Sequence, residues 1–464
     1  MPDLIWGVSE KQGARERIFM NSTTPLYHAL WKHIEQKRSS FHTPGHKGTA
    51  NLFPDGLLSL DLTELPDTDS LFEASGTILQ AEQEAAQVLG TKRTLFSAGG
   101  CTLCIQAMLR LAAQSGKRTV IAGRVLHRSA VHTMALLDLQ PVWLLPRPNA
   151  GTGFCGRIHP EDVAAALNSH PDAACVYVTS PDYFGVLADI EGIARECRKH
   201  DVPLLVDNAH GAHLFFTSQP HPIAQGASMT ACSAHKTLPV LTGGAWLNIG
   251  DPRFVSDAKD AMALFGSTSP SYLVMASLDL CTRWIEQESK DAYRDLERTV
   301  GQLREAAVQA GMTLPQGPAD PTRLSFRTAA VGMSGEQAAA HFRSCGVEPE
   351  YADGASVVLI PTPWNTEQDF QRVHDAIQTM PKRSPLELPE TVLPPLPPMS
   401  VSLREAVFAL QEEVPLGKAV GRIAVSAACP CPPGVPVVMP GEKITPEAAE
   451  FLQKYGFFTA KVLK

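Results

Sequence analysis

A chain of 464 residues with 44% hydrophobic and 19% charged side chains has room for two or three domains and buries enough surface to fold without staples. That composition excludes a disordered chain, a collagen and a coiled coil. A net charge of −8, from 40 basic and 48 acidic side chains, without a basic stripe, argues against a nucleic-acid partner.

The predicted elements follow in chain order. Residues 1–19 read as an arm in which Lys11, Arg15, Glu16 and Arg17 interrupt any signal-peptide core. A helix is expected over 25–37, then a polar, glycine-punctuated stretch over 41–48. Residues 1–75 are therefore taken as an arm and a segment lining a site. Over 77–89 the apolar positions Ile78, Ala81, Ala85, Val88 and Leu89 recur at helical spacing. Apolar runs at 94–97, 119–122, 142–145, 174–178 and 203–207 read as strands, with helical stretches such as 103–114 and 160–168 between them. This alternation predicts an α/β fold whose central sheet is mostly parallel, with helices on both faces, over 76–285. A long helix is expected over 285–311 and strand pieces over 322–360, giving a smaller α+β domain over 286–380. Seven prolines between 381 and 398 make a connector that is neither helix interior nor central strand. The segment from 381 to 464 ends in helical and strand pieces, with a capping box at Ser402 and Glu405 and a helix opening at Thr445-Pro446. No run approaches 18 apolar residues, so no membrane helix is predicted. Ten cysteines, among them Cys101, Cys104, Cys429 and Cys431, lack a second pair at zinc spacing. They read as free thiols, with no metal, and point to a cytoplasmic protein.

Chemistry concentrates in two stretches. Asp207 ends an apolar strand and is followed by His210 and His213; Ser233, His235 and Lys236 come shortly after. Ligands of open α/β sheets sit at the carboxyl ends of strands. A lysine in apolar company loses proton affinity and becomes an imine-forming nucleophile. An aspartate and a lysine so placed are what pyridoxal phosphate needs: the lysine holds the aldehyde, and the carboxylate keeps the pyridine nitrogen protonated. At an effective dielectric near 20, that contact is worth about 4 kcal/mol, roughly three units of pyridine pKa. The loop at 97–102, with Gly99 and Gly100 opening a helix, offers amides for the phosphate. His127, after the strand at 119–122, is placed to lie flat on the ring.

The residues then become familiar. Thr-Pro-Gly-His-Lys-Gly at 43–48, Leu-Thr-Glu-Leu at 62–65, Ala81-Glu82, His127-Arg128-Ser129, the 179–185 stretch, Asp207 through His213, Ser233 through Thr237, the 268–272 and 275–279 stretches and the 432–442 segment stand in one order. With them the chain resembles the Orn/Lys/Arg decarboxylases, pyridoxal phosphate enzymes of the aspartate-aminotransferase fold. It resembles the short members that lack a response-regulator-like leading domain. The resemblance implies that Lys236 carries the cofactor, Asp207 pairs with its ring nitrogen, and His127 and Ala209 pack on its two faces. It implies that Gly100, Cys101, Ser233 and His235 hold the phosphate, with Ser267 and Thr268 reaching the phosphate of a neighbouring subunit in an obligate homodimer. His210 is counted among the catalytic residues. Gly100 and Cys101 stand where the family carries Thr or Ser, Asn208 replaces a common Glu, and Asp182 a usual Thr.

The expected reaction is decarboxylation of arginine, lysine or ornithine to carbon dioxide and a polyamine or its precursor. The alternatives are an aminotransferase or lyase, which would need a carboxylate-binding arginine such as Arg323 or Arg422, and a regulator that has lost catalysis. A buried cationic substrate needs an acidic partner. The candidates are Glu64, Asp67, Asp69, Glu348, Glu350 and Asp353.

Overall fold

The computed structural model describes residues 24–36, 58–147, 156–387, 393–429 and 434–464. The expected arm at 1–19, the 43–48 motif and Cys431 lie outside these residues.

Helix α1 (Pro25–Glu35) and helix α2 (Thr77–Leu89) precede the first strand, β1 (Arg93–Ser97). Then come α3 (Gly100–Ala113), β2 (Thr119–Gly123), α4 (Arg128–Leu136), β3 (Gln140–Leu144), α5 (Pro160–Ser169) and β4 (Ala173–Thr179). After α6 (Ile190–Lys199) the chain forms β5 (Leu204–Asp207), β6 (Met229–Cys232), the single turn α7 (Ala234–Thr237) and β7 (Ala245–Ile249). The seven strands make one sheet in the order β1-β7-β6-β5-β4-β2-β3. Only β7 runs against its neighbours. The pairs β2–β3, β2–β4, β4–β5 and β5–β6 are parallel. Such strands are covered on both faces, which is why β5 and β6 are buried throughout and β4 nearly so.

One of the family-like residues, Glu82, is structural. Glu82 on α2 receives the Phe96 amide at 2.9 Å and both oxygens meet Lys259 Nζ, at 2.6 and 2.7 Å. This buried pair ties α2 to β1 and to the short helix α8 (Ala258–Ala263).

The change of character expected near 285 falls inside one unbroken helix, α9 (Tyr272–Gln309). Its apolar stripe continues across that point through Leu278, Ile285, Leu296 and Leu303, all buried. Beyond it, β8 (Leu324–Arg327), β9 (Tyr351–Ala352) and β10 (Ser356–Leu359) form an antiparallel sheet in the order β8-β10-β9. Helices α10 (Gly335–Ser344) and α11 (Glu367–Gln378) accompany it, both opened by capping boxes. The C-terminal part holds α12 (Leu403–Phe408), with the expected box at Ser402 and Glu405. It continues with β11 (Gln411–Pro415), α13 (Leu416–Ala419), α14 (Pro446–Lys454) and β12 (Thr459–Leu463).

Two buried contacts hold these parts around the carboxyl ends of the sheet. Arg124, just past β2, makes two bonds of 2.7 Å to the two oxygens of Glu442 and donates to the Pro436 and Val437 carbonyls. His213, past β5, meets Asp320 at 3.0 Å. No described helix is long and apolar enough to cross a membrane, and no group of acidic, His and Cys side chains among the described residues is arranged to hold a metal.

Candidate active site

The carboxyl ends of β4, β5 and β6 and the N-terminus of α3 open into a cavity of about 850 Å³. Gly100, Cys101, His127, Asp207, Ala209, His210, Ser233, His235 and Lys236 all line it. The C-terminal part closes one side with Val425, Cys429 and Met439, held there by the Arg124–Glu442 pair.

Lys236 sits on the turn after β6, and its Nζ lies 2.9 Å from His210 Nε2. Burial lowers its proton affinity below that of an ordinary lysine, against the pull of Asp207. Asp207 is 2% exposed at the end of β5. It accepts the Ala209 amide at 3.1 Å and the Tyr177 hydroxyl at 3.2 Å. Burial raises its pKa, only partly offset by the Ala209 amide and by His127 and Lys236. A buried carboxylate so supplied stands to gain from a cationic N–H partner. His127 is the N-cap of α4. Its Nδ1 lies 2.8 Å from Ser129 Oγ and accepts the Ser129 amide at 3.3 Å, which sets the ring against the cavity. Partial burial lowers its pKa.

The first turn of α3 lines one end of the cavity. Gly100 has φ +68°, a conformation glycine adopts without strain, and its amide is spent on the Gly243 carbonyl at 2.8 Å. The next first-turn amides lack intrahelical acceptors and carry the positive end of the helix. Cys101 supplies a buried thiol whose pKa burial pushes well up, so it is no anion. Thr102 lines the same cavity and is exposed to it. The sequence reading passed over Thr102. Its position in the first turn of the helix that Gly100 opens was the available signal. His235 Nδ1 is 2.9 Å from the Gly244 carbonyl, so that nitrogen carries the proton and donates.

Of the residues expected to meet the substrate's cation, only Glu350 touches the cavity wall: Tyr183, which lines it, donates its hydroxyl to Glu350 at 2.9 Å. The other five are not brought there. Asp67 pairs with His33 at 2.9 Å. Asp69 accepts the amides of Ser70, Ser75, Gly76 and Ile78, which builds the entry to α2. Glu64 receives the Thr63 hydroxyl at 2.7 Å, and Glu348 pairs with Arg343 at 2.8 Å. Asp353 is buried under its own turn, where it accepts the Ala355 and Ser356 amides at 2.8 and 2.7 Å. Ser267 and Thr268 are exposed and do not line the cavity of their own chain. Arg422 is spent on Glu412 at 2.7 Å, and Arg323 is 2% exposed. Cys101 and Cys104 are both buried free thiols.

A buried lysine after β6, a carboxylate at the end of β5 and an amide-rich helix N-terminus in one cavity suit pyridoxal phosphate group by group. Together with this sheet they define a pyridoxal phosphate enzyme of the aspartate-aminotransferase fold. The model of the Orn/Lys/Arg decarboxylase major domain matches residues 24–313, and that of the C-terminal domain matches residues 387–461. The chain belongs to that family of pyridoxal phosphate-dependent amino-acid decarboxylases. It is 31% identical over 457 residues to the arginine decarboxylase of Bacillus subtilis, covering 93% of each chain. It is 29% identical over 462 residues to that of Bacillus anthracis, covering 93% of this chain and 92% of the relative. Lysine decarboxylase A of Pseudomonas aeruginosa superposes with a TM-score of 0.80 at 19% identity, over 98% of this chain and 82% of that one.

Proposed function

We propose that this enzyme decarboxylates arginine, releasing carbon dioxide and the corresponding amine. The family establishes a basic amino-acid substrate. Arginine is favoured because the two full-length relatives described above are arginine decarboxylases. The observation that carries the reading is the Tyr183–Glu350 bond at the wall of the Lys236 cavity. It offers a planar guanidinium one carboxylate and one hydroxyl oxygen side by side.

In this reading Lys236 would be the residue that holds the cofactor's aldehyde end. His210, 2.9 Å away, shares the proton that Lys236 Nζ takes up or returns. Asp207 would hold the N–H of the cofactor ring, His127 and Ala209 would flank that ring, and Ser233, His235, Cys101, Thr102 and the amides of α3 would receive its phosphate. When bound, pyridoxal phosphate supplies the electron sink for the pair left as the bond to the carboxylate breaks. The protein's part is to turn that bond out of the ring plane and to leave the carboxylate loosely held, since clamping it would stabilise the ground state over the transition state. Neither Arg323 nor Arg422, the two candidates for such a clamp, reaches the cavity. The enzyme acts in the cytoplasm as a homodimer, with Ser267 and Thr268 delivered to the partner's site; their exposure is compatible with that role.

The test is carbon dioxide release from arginine, lysine and ornithine by the purified full chain. Arginine should give the highest kcat/KM. A best rate with lysine or ornithine would correct the substrate, and no release from any of the three would remove the reading.

A further inference from the structure

Arg323 precedes β8 and lies beneath the cavity floor, behind His210 and Tyr183. Its guanidinium is poorly partnered. The nearest carboxylate oxygen, Asp320 Oδ2, is 3.8 Å from Nε. The other oxygen of Asp320 is occupied by His213 and by the amide and hydroxyl of Thr322. Among the described residues Arg323 donates at 3.4 Å to the Tyr183 carbonyl and at 3.5 Å to the His210 carbonyl, and its Nε meets no acceptor there. Burying a cation on such terms is costly. The fold nonetheless makes room for it. Gly185 has φ +87°, and a Cβ there would stand 2.8 Å from Arg323 Cβ and Cγ.

The cation faces the pair formed by His210 and Lys236. His210 is fixed at its carbonyl by Arg323, on its ring by the edge-on ring of Tyr183, with centroids 5.0 Å apart, and at Nε2 by Lys236. Its Nδ1 is buried and has no partner. We propose that Arg323 is a positioning residue that fixes His210 against Lys236 and keeps the pair uncharged, so that Lys236 meets its reaction partner as a free amine. The proposal rests on the reading of Lys236 as the cofactor lysine.

The surrounding charges act in the required sense. Around Lys236, burial disfavours the ammonium form and Arg323 adds to it, while Asp207 on β5 and Glu350 beside β9 favour it and Cys101 on α3 stands by as a neutral thiol. Lys236 disfavours the charged form of His127, the N-cap of α4, and His235 precedes Lys236 directly on α7. On His210, burial acts first and Arg323 next, then Lys236 and His213, with Asp320 alone opposed.

The experiment reads Lys236 itself. The full chain, freed of cofactor, is acetylated across a pH series, and the Lys236 peptide is quantified by mass spectrometry. Arg323→Met is the first variant, because an apolar side chain of similar volume is tolerated where a buried ion stood; Arg323→Gln is the second. In either, the midpoint of Lys236 reactivity should move up by about one pH unit, a tenfold loss of free amine at a given pH, while Arg323→Lys keeps the wild-type midpoint. The pH profile of the bound cofactor's absorbance should move with it in the loaded enzyme. An unmoved midpoint in a folded neutral variant overturns the proposal. So does a wild-type midpoint no lower than that of exposed Lys454, a result that needs no variant to fold. Carbon dioxide release by the wild-type enzyme tests the functional reading separately.

Discussion

Asp207 and Glu350 are both carboxylates, yet their surroundings predict opposite kinds of defect. Asp207 is sealed at the end of β5 and keeps a single side-chain donor, the Tyr177 hydroxyl. An amide in its place cannot hold a protonated ring nitrogen. Asp207→Asn should therefore bind cofactor but lose about 4 kcal/mol of electrostatic support, close to three decades in kcat. A loss under tenfold at full cofactor occupancy, read from absorbance, would refute the electron-sink role. Glu350 is exposed, and among the described residues its side chain is held by the Tyr183 hydroxyl. Glu350→Ala should spare cofactor binding and cost about 1.5–3 kcal/mol in kcat/KM, roughly ten- to over a hundredfold. The loss should be confined to cationic substrates; a change within threefold for arginine would place the recognition carboxylate elsewhere. The difference between these residues also marks what the sequence could reveal. Asp207 and Lys236 end runs that are visibly strands, so their place at the carboxyl edge follows from local pattern. Glu350 was one of six acidic candidates. Choosing it depends on where β9 and β10 dock against the loop after β4, which no local signal encodes.

At the scale of elements, periodicity was informative because each element buries one continuous face. Helix α2 spans the predicted 77–89, and the five expected strand runs all appear within two residues of their predicted bounds. The change near 285 misled because α9 passes from a helix packed under the main sheet to one with an open flank. Its exterior turns polar while the helix itself continues. The C-terminal part shows a contact that only the fold creates: Arg124 and Glu442, both buried and 318 positions apart, joined by two bonds of 2.7 Å. Glu442 also accepts the Met439 amide at 2.8 Å, so it shapes the wall segment next to the cavity. Glu442→Ala leaves a buried guanidinium without its counter-ion, a change that costs about 3–5 kcal/mol. Amide exchange at 437–444 should accelerate by about two to three decades, with little change in β4 and β5. Exchange in this segment unchanged from wild type would show that the pair does not hold the wall.

At the scale of the whole molecule, the cavity collects its lining from β5, β6, the helix termini of α3 and α4, and the C-terminal part, yet Ser267 and Thr268 stand outside it and exposed. They lie between α8 and α9, where Leu264 is 61% exposed. An apolar side chain beside two hydroxyls is compatible with a surface that a second copy covers. The chain's 19% charged fraction, below the usual quarter or so, points the same way. The expected minimum active unit is thus a homodimer in which each chain lends these hydroxyls to the other's phosphate end. Sedimentation at working concentration should show no active monomer. Mixing makes the sharing measurable. Lys236→Ala alone lacks the reactive amine, and a chain carrying Thr268→Arg alone delivers a bulky cation to its partner. In a mixed dimer, one site combines the intact Lys236 of the Thr268→Arg chain with the intact Thr268 of the Lys236→Ala chain. Co-refolded in equal amounts, half of the dimers are mixed and each has one complete site, so about a quarter of wild-type activity should return. Two inactive parents that stay inactive on mixing, while forming mixed dimers by sedimentation, would show that the sites are not shared.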